Sequence, residues 1–142
     1  MKPTHILLAL ALSVPWLAAS AQAAVVQISA GADLQAAIDQ AQAGDTLRLA
    51  AGDYQGKIII NKPLTLEGGD KRDAIIQGDR TGRTITVAAP NVTIKHITVT
   101  KSGMSLPNMD AGICLDKAAD AAHIVENNIL DNSVGVYLWG AP

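Results

Sequence analysis

The sequence predicts an all-β chain that folds as a right-handed parallel β-helix, and two observations lead to this prediction. First, short segments alternate apolar and polar residues at period two, for example at 46–49, 84–87 and 92–94, and Gly, Asp, Asn or Pro separates them. Second, the segments repeat: AGICL at 111–115 returns as VGVYL at 134–138, an offset of 23 residues. A unit of three short strands cannot bury its apolar face alone, so successive coils of about 23 residues must stack.

Length and composition agree with one domain that has an aliphatic core. The chain has 142 residues and a formal net charge of −2, and 49% of its residues are hydrophobic. With two Trp, two Tyr and no Phe, the core must be built from Val, Ile, Leu and Ala. The near-neutral charge balance gives no reason to expect a nucleic acid partner. The lone cysteine excludes an intramolecular disulfide and a multi-cysteine zinc site.

The first element is predicted to be a signal peptide over residues 1–23. A weakly basic start precedes an apolar run at 6–17, and the sequence AQA, which ends at Ala23, has the A-x-A form that signal peptidase cleaves. The run is too short to span a bilayer comfortably, and no later stretch is apolar enough to do so. The mature chain would therefore be exported, begin at Ala24 and carry no membrane span. The alternative is an uncleaved membrane anchor.

The next element is the only helix that the pattern predicts, at about 33–43. Its apolar stripe begins at Leu34, includes Ile38 and recurs at the i, i+3, i+4 and i+7 spacing of one helical face. We expect this helix to cap the first coil of a single β-helix fragment over 24–142. The coils of that fragment are predicted to run from about 45 to 142.

Like residues of successive coils should lie above one another as inward-facing ladders. Three ladders are predicted, namely Ile85/Ile113/Val136, Val87/Leu115/Leu138 and Leu66/Ile94/Val125. The segment at 94–99 matches 125–130 at an offset of 31 residues, whereas the next matched blocks differ by 23, so eight residues must be inserted between them. We place this insertion in a loop within 100–109. Insertions in a solenoid cluster on its functional face.

The inserted loop carries the candidate functional residues. Met104 and Met109 lie in it, and Asp110 and Cys114 follow closely. Because thioether and thiolate sulfurs select Cu(I), Met104, Met109 and Cys114 are the predicted metal ligands, for copper that is held transiently and not as a tightly bound cofactor. Two alternatives stay open. The methionines could fill a gap beneath the loop, and Cys114, at an outward-facing position, could be a small residue partly covered by that loop.

A dense group of charged residues between 68 and 84 suggests a different chemistry. A polysaccharide lyase on this fold needs carboxylates that bind calcium and a basic residue that takes the sugar proton. Alternating charges in Gly-rich turns are more often a solvated edge. His96 and His123 fall at different positions of the repeat, so we expect them at the surface and not as a ligand pair.

The loop and the last coils resemble a known family. SGMSLPNMDAGI at 102–113, VENN at 125–128 and GVYLWG at 135–140 look like the NosD family of periplasmic β-helix proteins, which take part in nitrous oxide reductase maturation. The opening, with AGDTL at 43–47 and LTLEG at 64–68, is similar to that family and to other pectate-lyase-like solenoids. The resemblance implies a periplasmic accessory factor in copper-centre assembly. Its implied partners are an ABC-type ATPase and permease, nitrous oxide reductase and a copper chaperone.

The sequence therefore predicts a maturation factor and not an enzyme, with no catalytic and no cofactor-binding residue assigned. The alternative is an exported carbohydrate-active enzyme, a lyase or a hydrolase, and a third reading is a non-catalytic structural solenoid. The small number of aromatic residues counts against sugar binding. Because members of the family are much longer, we expect this sequence to be an N-terminal part that is truncated at its C-terminal end. Leu130, Val136 and Leu138 should then line an open edge, which predicts marginal stability and end-to-end stacking of copies.

Overall fold

The computed structural model describes residues 22–140, so the predicted signal peptide lies outside the described residues except for its last two positions. Thirteen short strands and one helix follow one another in the described chain. They are β1 (Val25–Ile28), α1 (Leu34–Gln40), β2 (Thr46–Leu49), β3 (Gly52–Gln55), β4 (Ile58–Ile60), β5 (Thr65–Glu67), β6 (Ala74–Gln77), β7 (Ile85–Val87), β8 (Thr93–Lys95), β9 (Thr98–Thr100), β10 (Ile113–Leu115), β11 (His123–Val125), β12 (Asn128–Leu130) and β13 (Val136–Leu138).

The strands form three parallel sheets, and successive coils add one strand to each sheet. Sheet A has the order β1-β2-β5-β8-β11, sheet B the order β3-β6-β9-β12 and sheet C the order β4-β7-β10-β13. Every neighbouring pair is parallel. Parallel strands that follow one another along the chain in three stacked sheets are the architecture of a β-helix, so the predicted fold class is confirmed.

The core lies between the three sheets and is aliphatic, as predicted. Leu66 and Ile94 of sheet A, Ile76 of sheet B and Ile85 of sheet C have no exposed surface. Burying one such side chain contributes about 1.5–3 kcal/mol. Tyr54 is the large exception to the aliphatic composition and is also buried, with 1% of its surface exposed.

Helix α1 covers the first coil. Asp33 is its N-cap residue, and the Asp33 carboxylate accepts a hydrogen bond from the Ala36 amide at 3.0 Å. Leu34 and Ile38 are its buried face, and the helix packs against β4. It ends at Gln40, earlier than the predicted end at about 43. Within residues 22–140 no helix is long and apolar enough to cross a membrane.

Strand β1 precedes the helix and was absent from the sequence prediction. Its valines, Val25 and Val26, are 55% and 38% exposed. They follow a long apolar leader, so the alternating pattern that marks a half-buried strand does not stand out there. The register of β1 with β2 places Val26 opposite Leu47.

Two of the three predicted ladders are confirmed. Strand β10 pairs with β7 and β13 in the predicted register, which produces the ladders Ile85/Ile113/Val136 and Val87/Leu115/Leu138. Sheet C thus repeats at the 28-residue and 23-residue offsets read from the sequence.

The third ladder is wrong by one residue in the last coil. Ile94 pairs with Leu66 as predicted, but its partner in β11 is Ile124, and Val125 lies opposite Lys95. The offset there is 30 residues (124 minus 94), so the inserted segment has seven residues (30 minus 23) and not eight. Ile124 and Val125 are both aliphatic, and an alternating pattern accepts either of them at the inward position.

Asparagine amides fix the observed register at the corners of the last coil. The Asn127 side chain accepts a hydrogen bond from the Ile97 amide at 3.1 Å and donates to the Ile94 carbonyl at 2.8 Å. Asn132 makes the same pair of bonds to the preceding coil one corner later. Asn128 was expected opposite Ile97 at the start of an internal amide ladder; that position belongs to Asn127, and Asn128 is exposed opposite a threonine of β9.

Burial decreases in the last coil. Leu130 and Leu138 are 57% and 56% exposed, and Val136 is partly buried. This is the exposure that the sequence predicted for these three side chains.

Candidate functional site

The longest irregular connection among the described coils is the loop at 101–112, which contains the predicted insertion. It is a closed and ordered structure. The Asp110 carboxylate accepts a hydrogen bond from the Ser105 amide at 2.9 Å, and the Asp110 amide donates to the Ser105 carbonyl at 3.1 Å. Asp110 is 5% exposed, whereas Met104 and Leu106 are 67% and 65% exposed. The loop therefore holds two large apolar side chains in water, on a backbone that is tied down at its base.

Gly103 is the residue that allows this loop to pack against the preceding coil. Its amide donates to the Gly82 carbonyl at 2.8 Å. A Cβ atom at this position would overlap the Asp110 carboxylate and would lie 2.5 Å from the Gly82 nitrogen. The loop thus depends on a glycine where two backbone segments and a buried carboxylate meet.

A cavity of about 620 Å³ lies beside the loop, on the outer side of sheet C. Three successive coils form its walls. Lys57 and Ile59 come from the coil of β4, Arg80 and Arg83 precede β7, and Met104 comes from the loop. Asp110 also lines it. Residues that lie more than twenty positions apart in the sequence are thereby brought to one site, because parallel stacking aligns the same corner of each coil.

The cations of the cavity differ in how far they are committed to ion pairs. The Lys57 ammonium lies 3.3 Å from the Asp79 carboxylate and 2.7 Å from the Thr81 hydroxyl. The bond from the Thr81 hydroxyl, with Lys57 as a further cause, holds the pKa of Asp79 below its ordinary value. Arg80 binds a carboxylate of the last coil with both of its terminal nitrogens.

Arg83 is the cation of the cavity that lacks such a partner. Among the described residues it forms no ion pair, and its Nε donates to the Met109 carbonyl at 3.4 Å. A guanidinium with free donors at a cavity wall is suited to a carboxylate or phosphate group.

The three predicted sulfur ligands lie in different environments. Met104 lines the cavity, and its side chain is largely exposed. Met109 is half-buried, with a left-handed backbone at φ +54°. Cys114 has no exposed surface, and burial raises the pKa of its thiol. It lies in register with Thr86 and Tyr137 on the outer side of sheet C, as predicted, but it is fully and not partly covered.

These placements supply one accessible thioether at the cavity. A site with three sulfur ligands requires the loop to move, because Cys114 is closed off from solvent and its thiol form is favoured. Among residues 22–140 no group of three or more His, Cys, Asp or Glu side chains is placed to hold a metal ion.

The charged residues between 68 and 84 form cross-coil ion pairs instead of one carboxylate cluster. Arg72 contacts Glu126 at 3.6 Å, and the pairs of Lys57 and Arg80 are those described above. Strand β6, with the sequence AIIQ, runs through the middle of this group. His96 lies at a corner, 3.1 Å from the Glu126 carboxylate, and His123 is an exposed residue of β11.

Sequence reasoning found the loop but not the rest of the cavity. Lys57 and Ile59 were not singled out, because nothing in their local sequence links them to residues about 25 positions later. The signal that could have found them is the ladder itself, since Ile59 lies opposite Thr86 in the sheet C register.

Fold and site together define a parallel β-helix with an ordered, sulfur-bearing loop and a cation-lined cavity on one side. No family model matches the chain, and no solved structure matches it significantly. Two curated relatives do. A probable ABC transporter binding protein NosD of Stutzerimonas stutzeri is 32% identical over 93 residues, which are 66% of this chain and 21% of that protein.

The second relative carries the same name and comes from Pseudomonas aeruginosa. It is 35% identical over 92 residues, which are 63% of this chain and 21% of that protein. The chain is therefore NosD-like over about two thirds of its length, and it spans about a fifth of the length of the curated relatives it matches.

Proposed function

We propose that this chain is part of a periplasmic accessory factor that supports assembly of the copper centre of nitrous oxide reductase and works beside an ABC-type transporter. The similarity to two NosD proteins, which are named as probable ABC transporter binding proteins, carries the proposal. The partners would be the transporter's ATPase and permease, nitrous oxide reductase and a copper chaperone. On this proposal the chain is not an enzyme.

The loop at 101–112 is the proposed contact face. Apolar side chains that are exposed on an ordered backbone mark interaction sites, and Met104 and Leu106 are such a pair. Copper would be cargo here and not a resident cofactor. The Met104 thioether is a soft ligand that an arriving Cu(I) ion can reach, and Met109 and Cys114 are the proposed further ligands.

The test is a substitution in the full chain, in a denitrifying strain that lacks its own copy. Met104→Leu combined with Met109→Leu keeps the volume roughly constant and removes both thioethers. We expect lower Cu(I) affinity of the purified protein and lower copper content of nitrous oxide reductase. Leu106→Val is the matched control, because it alters the exposed loop tip and leaves the sulfur atoms in place. Unchanged copper affinity and unchanged maturation in the double variant would refute the ligand assignment.

Export is the second part of the proposal. The sequence AQA before Ala24 is the proposed signal peptidase site, and the processed chain would act in the periplasm. Fractionation of cells that produce the full chain tests this. Protein found only in the cytoplasmic fraction contradicts the proposed location.

The carbohydrate-active alternative has one structural observation in its favour. Lys57, Arg80 and Arg83 line a single cavity, and basic side chains suit an acidic glycan. Incubation of the full chain with polygalacturonate, followed by measurement of new unsaturated or reducing ends, separates the two functions. Robust cleavage would overturn the proposal of a non-enzymatic maturation factor.

A further inference from the structure

The first residue of the β-helix is held by a buried carboxylate. The Ala24 nitrogen donates a hydrogen bond to Asp45 Oδ1 at 2.8 Å, and the Ala24 carbonyl accepts from the Thr46 amide at 2.8 Å. Asp45 is 5% exposed. Sheet A therefore begins at Ala24, with the nitrogen of that residue directed at an anionic oxygen.

The carboxylate is fixed in place independently of Ala24. Its second oxygen accepts a hydrogen bond from the Gln42 amide at 2.8 Å, and the Asp45 carbonyl accepts from the Thr65 amide at 2.9 Å. Gly44, at φ +92°, donates to the Pro63 carbonyl at 2.7 Å and sets the turn that leads into Asp45. The geometry of this acceptor is thus built by the second and third coils.

Asp45 also lacks a countercharge. Among the described residues it forms no ion pair within 4.0 Å. Lys62 is the nearby cation that acts on it at longer range, but the Lys62 ammonium donates to the carbonyls of Asp39 and Ala41 at 2.9 and 3.0 Å. A buried carboxylate is costly unless it is paired and hydrogen-bonded.

We propose that Asp45 is the binding site for the α-ammonium group of the processed chain, which rests on the proposed export. Signal peptidase hydrolyses the Ala23–Ala24 peptide bond. Water supplies a hydroxyl to the carbonyl carbon of Ala23, and the Ala24 nitrogen gains protons and becomes an ammonium at neutral pH. The 2.8 Å hydrogen bond to Asp45 Oδ1 then becomes a charge-assisted bond that supplies the missing countercharge.

Two further observations favour this assignment. The A-x-A sequence ends at the one bond whose cleavage frees the nitrogen that already faces Asp45. The hydrogen bonds from the Ala24 and Gln42 amides lower the pKa of Asp45, so the carboxylate is anionic at the pH at which the α-amino group is charged.

The experiment starts from the full chain, produced with its leader and purified after export. Intact mass and N-terminal sequencing are expected to place the first residue at Ala24. The α-amino pKa is then measured from the pH dependence of its acetylation rate. An adjacent carboxylate favours the ammonium form, so we expect a value about one above that of the same protein unfolded in urea. Asp45→Asn should abolish this difference, and Asp53→Asn, which changes an exposed aspartate of β3, should preserve it.

The outcomes separate the inference from the proposed function. A first residue other than Ala24 overturns the inference at once. Cleavage after Ala23 with the same α-amino pKa in the folded and unfolded protein also overturns it, while export stands. If Asp45→Asn fails to fold, the comparison of folded and unfolded wild-type protein decides the matter alone. The copper-centre assay does not depend on either result.

Discussion

The middle coils and the last described coil are built from the same ladders, yet they differ in burial. Ile94, Val99 and Ile113 have no exposed surface, whereas their register partners Ile124, Ile129 and Val136 are only partly buried. Hydrogen-bond register is the same kind in both regions. What differs is coverage, since each side chain of a middle coil has a neighbour in the coil above and in the coil below.

This difference implies that the position of a coil, and not the residue type, decides what a ladder residue contributes. In a solenoid, stability is close to a sum of nearest-neighbour terms. A side chain with two covering coils loses two sets of contacts when it is truncated, and one with a single covering coil loses one. The predictions below compare matched pairs across the two regions.

The largest effect is expected in the core ladder of sheet A. Ile94→Ala removes a side chain with no exposed surface and leaves a cavity, at a cost of about 2–5 kcal/mol. Ile124→Ala, its register partner, should cost clearly less because water already reaches part of that side chain. Urea unfolding of the full chain, followed by circular dichroism, measures both. Equal losses would contradict the coverage argument.

The two tyrosines form the second pair. The Tyr54 hydroxyl donates to the carbonyls of Ile28 and Ala50, at 3.0 and 2.8 Å, inside the first coils. Tyr54→Phe leaves these carbonyls without that donor, and we expect a loss of about 1–2 kcal/mol in the free energy of unfolding. Tyr137→Phe, in the partly exposed β13, should change it by about 0.5 kcal/mol or less. A larger loss at Tyr137 than at Tyr54 would reverse the expected order.

The limits of the sequence prediction follow from the same physics. The ladders of sheet C could be predicted because an aliphatic residue at each inward position recurs at a fixed offset. The register at Ile124 could not, since Val125 beside it is equally apolar and only the Asn127 amide bonds decide between them. The loop could be located from its extra length. Its cavity could not, because Lys57 reaches Met104 only through the stacking of three coils.

A charge ladder on the outside of sheet A offers a pH test of the middle coils. Glu67, 8% exposed, lies between Arg48 at 2.6 Å and Lys95 at 2.9 Å. The hydrogen bond from Lys95, aided by Arg48, lowers the pKa of Glu67 below its ordinary value. The next position of this ladder is Val125, which carries no charge.

The sign of the pH dependence follows from that lowered pKa. The stabilisation by Glu67 is fully present above the unfolded-state pKa of about 4.3 and is lost as the pH falls through the lower folded-state value. Glu67→Gln should therefore cost about 1 kcal/mol at neutral pH and nothing at the acid end. Urea titrations between neutral pH and about pH 3 measure the difference. A variant whose deficit stays constant with pH would show that packing, and not charge, is lost.

The smallest effect is expected where the two regions are joined by an exposed ion pair. Arg80 precedes β7 and Asp131 follows β12, and their side chains are about half exposed, with Arg80 Nη1 3.0 Å from Asp131 Oδ1. The hydrogen bond between them raises the pKa of Arg80 and lowers the pKa of Asp131, but both groups remain in water, where salt screens their attraction. Arg80→Ala should thus shift the urea midpoint less than any substitution above, and the shift should vanish in about 1 M salt, where the screening length is about 3 Å. A salt-independent loss as large as that of Tyr54→Phe would mean that this pair, and not ladder coverage, holds the last coil in place.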